Sequence, residues 1–89
     1  MELSVDISLY PLADNYIPAI KEFIERLQKI ENLSVVGNTM STQIFGDYEL
    51  VMDTLKIEIK RSYEKYGKGI FVCKFINGNL DPALNPHGE

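Results

Sequence analysis

Three side chains at alternate positions of one short stretch, Asp6, Ser8 and Tyr10, could do binding chemistry together. Residues two apart in an extended strand point to the same side. A carboxylate, a hydroxyl and an aromatic ring would then form one row. The carboxylate would meet a cation or an amino group, the hydroxyl would supply a hydrogen bond, and the ring would stack on a flat ligand. A second set follows the middle of the chain: Ser41, Thr42 and Gln43, with Thr39 just before them and the ring of Phe45 just after. Polar groups beside aromatics in one concavity suit a flat heteroaromatic molecule. The plainer reading of both sets is a solvated sheet face and satisfied turn and strand positions, because Thr forms strands well and Ser forms turns well.

Groups for covalent or acid–base chemistry are scarce. Cys73 reads as a small buried hydrophobe, and no histidine lies in any expected element to activate it. His87 sits between Pro86 and Gly88, without a cysteine or histidine at metal-ligand spacing, so neither a zinc site nor a Ser-His-Asp arrangement is expected. The run Lys68-Gly69-Ile70-Phe71-Val72-Cys73-Lys74-Phe75 bears a superficial likeness to an RNA-binding octapeptide. It has Ile70 and Val72 where that motif needs aromatics, and it falls on the fourth strand instead of the third. The glycines fit no phosphate-loop spacing. Lys56, Lys60, Arg61, Lys65 and Lys68 read as the wet side and carboxyl end of a helix. A non-enzymatic protein with no cofactor and no metal is the expectation.

Composition narrows the partners. The 89 residues make one small domain, with 45% hydrophobic and 25% charged residues. A net charge of −4 argues against nucleic acid and favours a cationic ligand. One cysteine excludes an internal disulfide and fits a reducing, cytoplasmic setting. Met1 to Asp6 lacks a basic region followed by an apolar run, so no signal peptide is expected, and no apolar run is long enough to span a membrane. Small domains have thin stability margins, which makes self-association an expected source of extra burial.

The elements that must position these groups are legible in the hydrophobic pattern. Leu3, Val5, Ile7 and Leu9 alternate with polar residues, the mark of a half-buried strand ended by Pro11. Asp14 and Asn15 read as helix-start residues with Pro18 in the first turn, and Ile17, Ile20, Phe23, Ile24, Leu27 and Ile30 follow helical spacing to about Asn32. Glu22–Arg26 and Glu25–Lys29 are favourable i,i+4 pairs. Leu33 to Val36 and Thr42 to Phe45 read as strands joined by a turn that sits on Gly37-Asn38 or runs on to Ser41, with Gly46 breaking the second and Asp47 capping a helix. That helix runs from Tyr48 to Tyr66, with a buried stripe of Tyr48, Val51, Met52, Leu55, Ile59 and Tyr63, and Gly67 stops it. The last strand, Ile70 to Ile76, is apolar on both faces: Phe71, Cys73 and Phe75 on one, Ile70, Val72 and Ile76 on the other. Burial on both sides, or an interface, would account for that. The order β-α-β-β-α-β is the ferredoxin-like, α+β pattern: a four-stranded antiparallel sheet with two helices on one face. It would occupy residues 1–79, leaving 80–89 as a loosely ordered tail. The first strand would be central, so Asp6, Ser8 and Tyr10 would lie mid-sheet on the uncovered face.

Ile7-Ser8-Leu9-Tyr10-Pro11-Leu12, the Tyr16-x-Pro18 helix opening and Met40-Ser41-Thr42-x-Ile44-x-Gly46-Asp47 make the chain similar to the YkoF-related, thiamine-binding family over roughly Leu3 to Ile76. The resemblance implies a ferredoxin-like domain that binds thiamine or its hydroxymethylpyrimidine part, and domains that pair through their sheets. Relatives with two such domains in one chain pair internally; a single domain would need a homodimer or a tetramer. The expected ligand-binding residues, taken from the chemistry above, are Asp6, Ser8, Tyr10, Ser41, Thr42, Gln43 and Phe45. Binding would serve uptake, salvage or sensing. The alternative is a structural or regulatory oligomerisation domain without a vitamin ligand.

Overall fold

Leu3, Val5 and Ile7, each no more than 4% exposed, form the floor of the core in a computed structural model that describes residues 1–38 and 40–84. They belong to β1 (Glu2–Pro11). The chain continues as α1 (Ile17–Gln28), β2 (Ser34–Gly37), β3 (Thr42–Asp47), α2 (Tyr48–Tyr66) and β4 (Gly69–Asn77). The sheet order is β2-β3-β1-β4, with every neighbouring pair antiparallel. This is the expected ferredoxin-like arrangement, with β1 inside the sheet. Both helices pack on the face carrying Leu3, Val5, Ile7 and Ile44, through Phe23 and Leu27 of α1 and Val51 and Leu55 of α2. Phe71 joins them from β4, with its ring 5.1 Å from that of Phe23 and 5.5 Å from that of Tyr63.

Several boundaries differ from the sequence-based expectation. Helix α1 begins after Tyr16, which makes no side-chain cap, and stops at Gln28, four residues before Asn32. Asn32 itself takes a positive φ of 66°, the left-handed conformation that asparagine tolerates. Gly46 does not break β3. It pairs with Leu3 inside the ladder, and a Cβ there would lie 3.2 Å from the Asn32 carbonyl oxygen and 3.5 Å from Leu33 and Val51. The glycine is a close-approach residue, and α2 begins at Tyr48 as expected, with Asp47 capping it by accepting from the Leu50 N–H.

The buried stripe of α2 is also rotated from expectation. Tyr48, Met52 and Tyr63 are exposed, whereas Thr54, Glu58 and Ser62 are buried beside Val51 and Leu55. The cause is Arg26 of α1, which lies in the seam between the helices. Its guanidinium donates to Glu58 Oε1 at 2.6 Å and to Ser62 Oγ at 2.8 Å, so polar residues are satisfied where apolar ones were expected. Glu22 extends the seam, at 3.1 Å from Arg26 and 2.8 Å from Lys65, and accepts from the Tyr66 hydroxyl. Of the expected helix pairs, Glu22–Arg26 forms, and Glu25 instead faces Lys21.

The chain beyond β4 turns under the uncovered face. Ser4 Oγ donates to the Gly78 carbonyl at 2.8 Å and accepts from the Leu80 N–H at 2.9 Å. Asp81 is buried, and its carboxylate accepts from the Ala83 N–H. Residues 80–84 of the expected loose tail are therefore a hydrogen-bonded strap. Residues 85–89, with Pro86, His87 and Gly88, lie outside the described residues, as does Thr39.

Candidate functional site

Two recesses along the sheet divide the seven expected site residues between them. Cross-strand pairing fixes which side each occupies. Asp6 pairs with Gln43 on one side and with Lys74 on the other, and Ser4 pairs with Phe45 and Ile76. Directly opposed residues share a face, so these groups lie on the side the helices leave open. They line a shallow cavity of about 190 Å³ with Leu80 of the strap at its rim. Phe45 is only 4% exposed although it points away from the core. Leu80 shares this recess with it, and Asp81 and Leu84 share the next one. The strap thus covers Phe45 and removes most of its ring from a ligand.

The other recess is larger, about 450 Å³. It exists because β1 outruns β3. The last β1–β3 pair is Ile7 with Thr42, and Ser8 to Pro11 pair only with β4. The space that a longer β3 would fill is bounded instead by Tyr16, Ile20 and Ile24 of the α1 region and by the β2–β3 loop. Asn38 shapes that loop. Its side-chain oxygen accepts from the N–H groups of Met40 and Ser41, both at 2.8 Å, and its own N–H donates to the Ser41 carbonyl at 3.0 Å. Ser8 Oγ donates to the Met40 carbonyl at 3.4 Å and ties the loop to β1. The walls carry Tyr10 and Tyr16, both more than half exposed, with Ser8, Ser41, Thr42 and Asn38 as polar groups.

Four expected residues, Ser8, Tyr10, Ser41 and Thr42, therefore meet in the cleft, and Asp6, Gln43 and Phe45 lie in the shallow recess. Thr42 is opposite Ile7 on the helix-covered side and is 6% exposed, so it contributes at the base of the cleft. Asp6 is one same-side step, about 7 Å, along β1 from Ser8. Tyr16, Met40 and Asn38 were not among the expected site residues. Their signal was present in the helix opening and the Gly37-Asn38 turn, but only the overhang of β1 shows that those segments face one another. Lys74, apart from the expected set, places a cation directly across from Asp6. Cys73 lies on the helix-covered side opposite Ile7, and burial pushes its thiol above the ordinary value, which keeps it protonated near neutral pH.

Among the described residues no cluster of three or more His, Cys, Asp or Glu could hold a metal, and no helix is long and apolar enough to cross a membrane.

A model of the YkoF-related family matches residues 2–79. The chain belongs to that family. No curated protein matches it. Among solved structures, a Streptococcus pneumoniae protein superposes with a TM-score of 0.84 at 22% identity, over 96% of this chain and 99% of its own. A hypothetical protein from Methanocaldococcus jannaschii gives 0.79 at 20% identity, over 99% and 97%. A Thermotoga maritima protein provisionally assigned to thiamine biosynthesis or salvage gives 0.78 at 15% identity, over 88% and 85%. At such identities these likenesses establish the shared fold.

Proposed function

We infer that this YkoF-related chain binds thiamine or its hydroxymethylpyrimidine part without transforming it, in the cleft beside the carboxyl end of β1. The observation that carries the reading is that Tyr10 and Tyr16 line one space of about 450 Å³ together with Ser8, Ser41 and Asn38. That volume is within the usual range for small-molecule sites, and its lining of apolar and aromatic walls with a few polar groups is the usual composition. Exposed tyrosine faces attract a thiazolium-type cation, and the negative net charge adds to the attraction. Asp6, one step along β1, stands where an amino group or cation leaving the cleft would meet a carboxylate. Among the described residues no carboxylate, lysine, cysteine or histidine lines the cleft, which favours holding a ligand over moving its protons. The Thermotoga maritima relative supports the choice of thiamine chemistry. The protein works in the cytoplasm as a dimer or tetramer, in uptake, salvage or sensing.

Thermal shift and calorimetric titration with thiamine, its phosphates and hydroxymethylpyrimidine test this. Binding raises the melting temperature with ligand dose. Tyr10→Ala and Tyr16→Ala each weaken binding by about tenfold or more, equivalent to about 1.4 kcal/mol. If none of these compounds binds better than unrelated cations at millimolar concentration, the ligand reading fails.

A second reading is favoured by the uncovered face, where Tyr10, Ile70, Val72 and Ile76 are all about half exposed. It makes the domain an oligomerisation module. A concentration-dependent melting midpoint with no response to the vitamins would select it.

A further inference from the structure

The backbone of β1 is not fully paired where it lines the cleft. In an antiparallel pair, facing residues that exchange both hydrogen bonds alternate with facing residues that exchange none. The Glu2 carbonyl accepts from the Gly78 N–H, and the Leu12 N–H donates to the Lys68 carbonyl, so the even-numbered residues of β1 turn their backbone groups to β4. The Met1 carbonyl accepts from the Tyr48 N–H, so the odd-numbered residues turn theirs to β3. Leu3, Val5 and Ile7 face Gly46, Ile44 and Thr42 there. In the same register Leu9 would face Met40, and that pair does not form. Asn38 is the reason. Its side-chain oxygen accepts from the Met40 N–H at 2.8 Å, and the Met40 carbonyl accepts from the Ser8 hydroxyl at 3.4 Å. Both groups that could have closed onto Leu9 are engaged elsewhere. Among the described residues no group bonds to the Leu9 N–H or C=O on this side.

We propose that the Leu9 peptide edge is the recognition element of the cleft, and that it takes a flat ring carrying an amino donor beside a nitrogen acceptor. In one extended residue the N–H and the C=O lie side by side and point the same way, in the plane of the sheet. Their match is an acceptor and a donor side by side in one plane. The aminopyrimidine ring shared by thiamine and hydroxymethylpyrimidine has that edge, an amino group next to a ring nitrogen. The inference therefore rests on the ligand reading above and names the atoms that hold the ring. A ring seated there continues the plane of the sheet where β3 stops, with Ile20 and Ile24 of α1 on its helix side and Ser8 and Tyr10 on its open side. A carboxylate or phosphate, which only accepts, would leave the Leu9 carbonyl unmatched. An extended peptide would find too little strand to pair with, because the next residue facing this way is Pro11, which has no N–H. Asn38 is a positioning residue, since it acts by holding Met40 off Leu9.

Amide exchange of the isotope-labelled full chain, followed residue by residue, tests the proposal. In the free protein the Leu9 amide should exchange at least about tenfold faster than that of Ile7, which is paired to Thr42. Saturating hydroxymethylpyrimidine should slow Leu9 about tenfold or more, and the same compound lacking its amino group should bind about tenfold more weakly. Asn38→Ala frees the Met40 N–H to close onto Leu9. It should protect the Leu9 amide without ligand and weaken binding about tenfold, with an unchanged circular dichroism spectrum. Asn38→Asp, which keeps the accepting oxygen, should behave like the unaltered chain. A Leu9 amide as protected as that of Ile7 in the free protein would overturn the open edge, whatever the ligand. Equal binding of both compounds with Leu9 exchange unchanged would overturn the recognition element and leave the ligand reading standing. Binding of neither would overturn both.

Discussion

Arg26 Nε donates to Glu58 Oε1 at 2.6 Å across the seam between α1 and α2, and the Glu58 side chain is only 5% exposed. Glu58→Ala removes the more buried of the two carboxylates that Arg26 meets and leaves it Glu22. It should destabilise the fold by about 1–3 kcal/mol. Arg61, which also reaches Glu58, is 62% exposed and should matter far less when truncated. Chemical denaturation of the two variants separates these effects.

The pH response follows from Glu22. Hydrogen bonds from Lys65 and Tyr66 hold its carboxyl at about 2, below the ordinary 4.5. A folded-state value below the unfolded one contributes stability that is complete above about 4.5 and is lost as pH falls toward about 2. Melting temperatures recorded through that window should fall less steeply for Glu22→Gln than for the unaltered protein. Parallel curves would mean that the exposed side of the seam contributes nothing measurable.

Gly46 should resist even the smallest substitution. A methyl group there would press on the Asn32 carbonyl at 3.2 Å, which is backbone held in a tight turn after α1. Gly46→Ala should cost about 1–3 kcal/mol, as overpacking does. Gly37→Ala, where nothing lies within 4 Å, is the matched control. Equal stability of the two would remove the close-approach argument.

Ser4 should control the strap. Ser4→Ala deletes the hydroxyl that bridges Gly78 and Leu80. The expected loss is about 1–3 kcal/mol, because the bridged groups are partly buried. Amide exchange should speed up at Leu80 more than in β1. Uniform acceleration across the sheet would indicate global destabilisation instead.

The alternation of Leu3 to Leu9 and the helical spacing of Ile20 to Leu27 made the sheet, the helices and their order legible, since both patterns report a single buried side. The same patterns placed Asp6, Ser8 and Tyr10 on the open side. What could not be read was anything that depended on unequal lengths or on a polar seam. Thr54, Glu58 and Ser62 look like a wet stripe until Arg26 is seen to satisfy them. Tyr16 and Asn38 look like a helix opening and a turn until β1 is seen to overrun β3. Gly46 looks like a breaker, because a sequence does not show which carbonyl will lie 3.2 Å away.

The two margins of the sheet differ in length, nine residues against four. An extended strand from outside would therefore find more than twice as long a row of backbone donors and acceptors beside β4 as beside β2. The sheet is lopsided as a template, and whatever adds to it adds first along the long side.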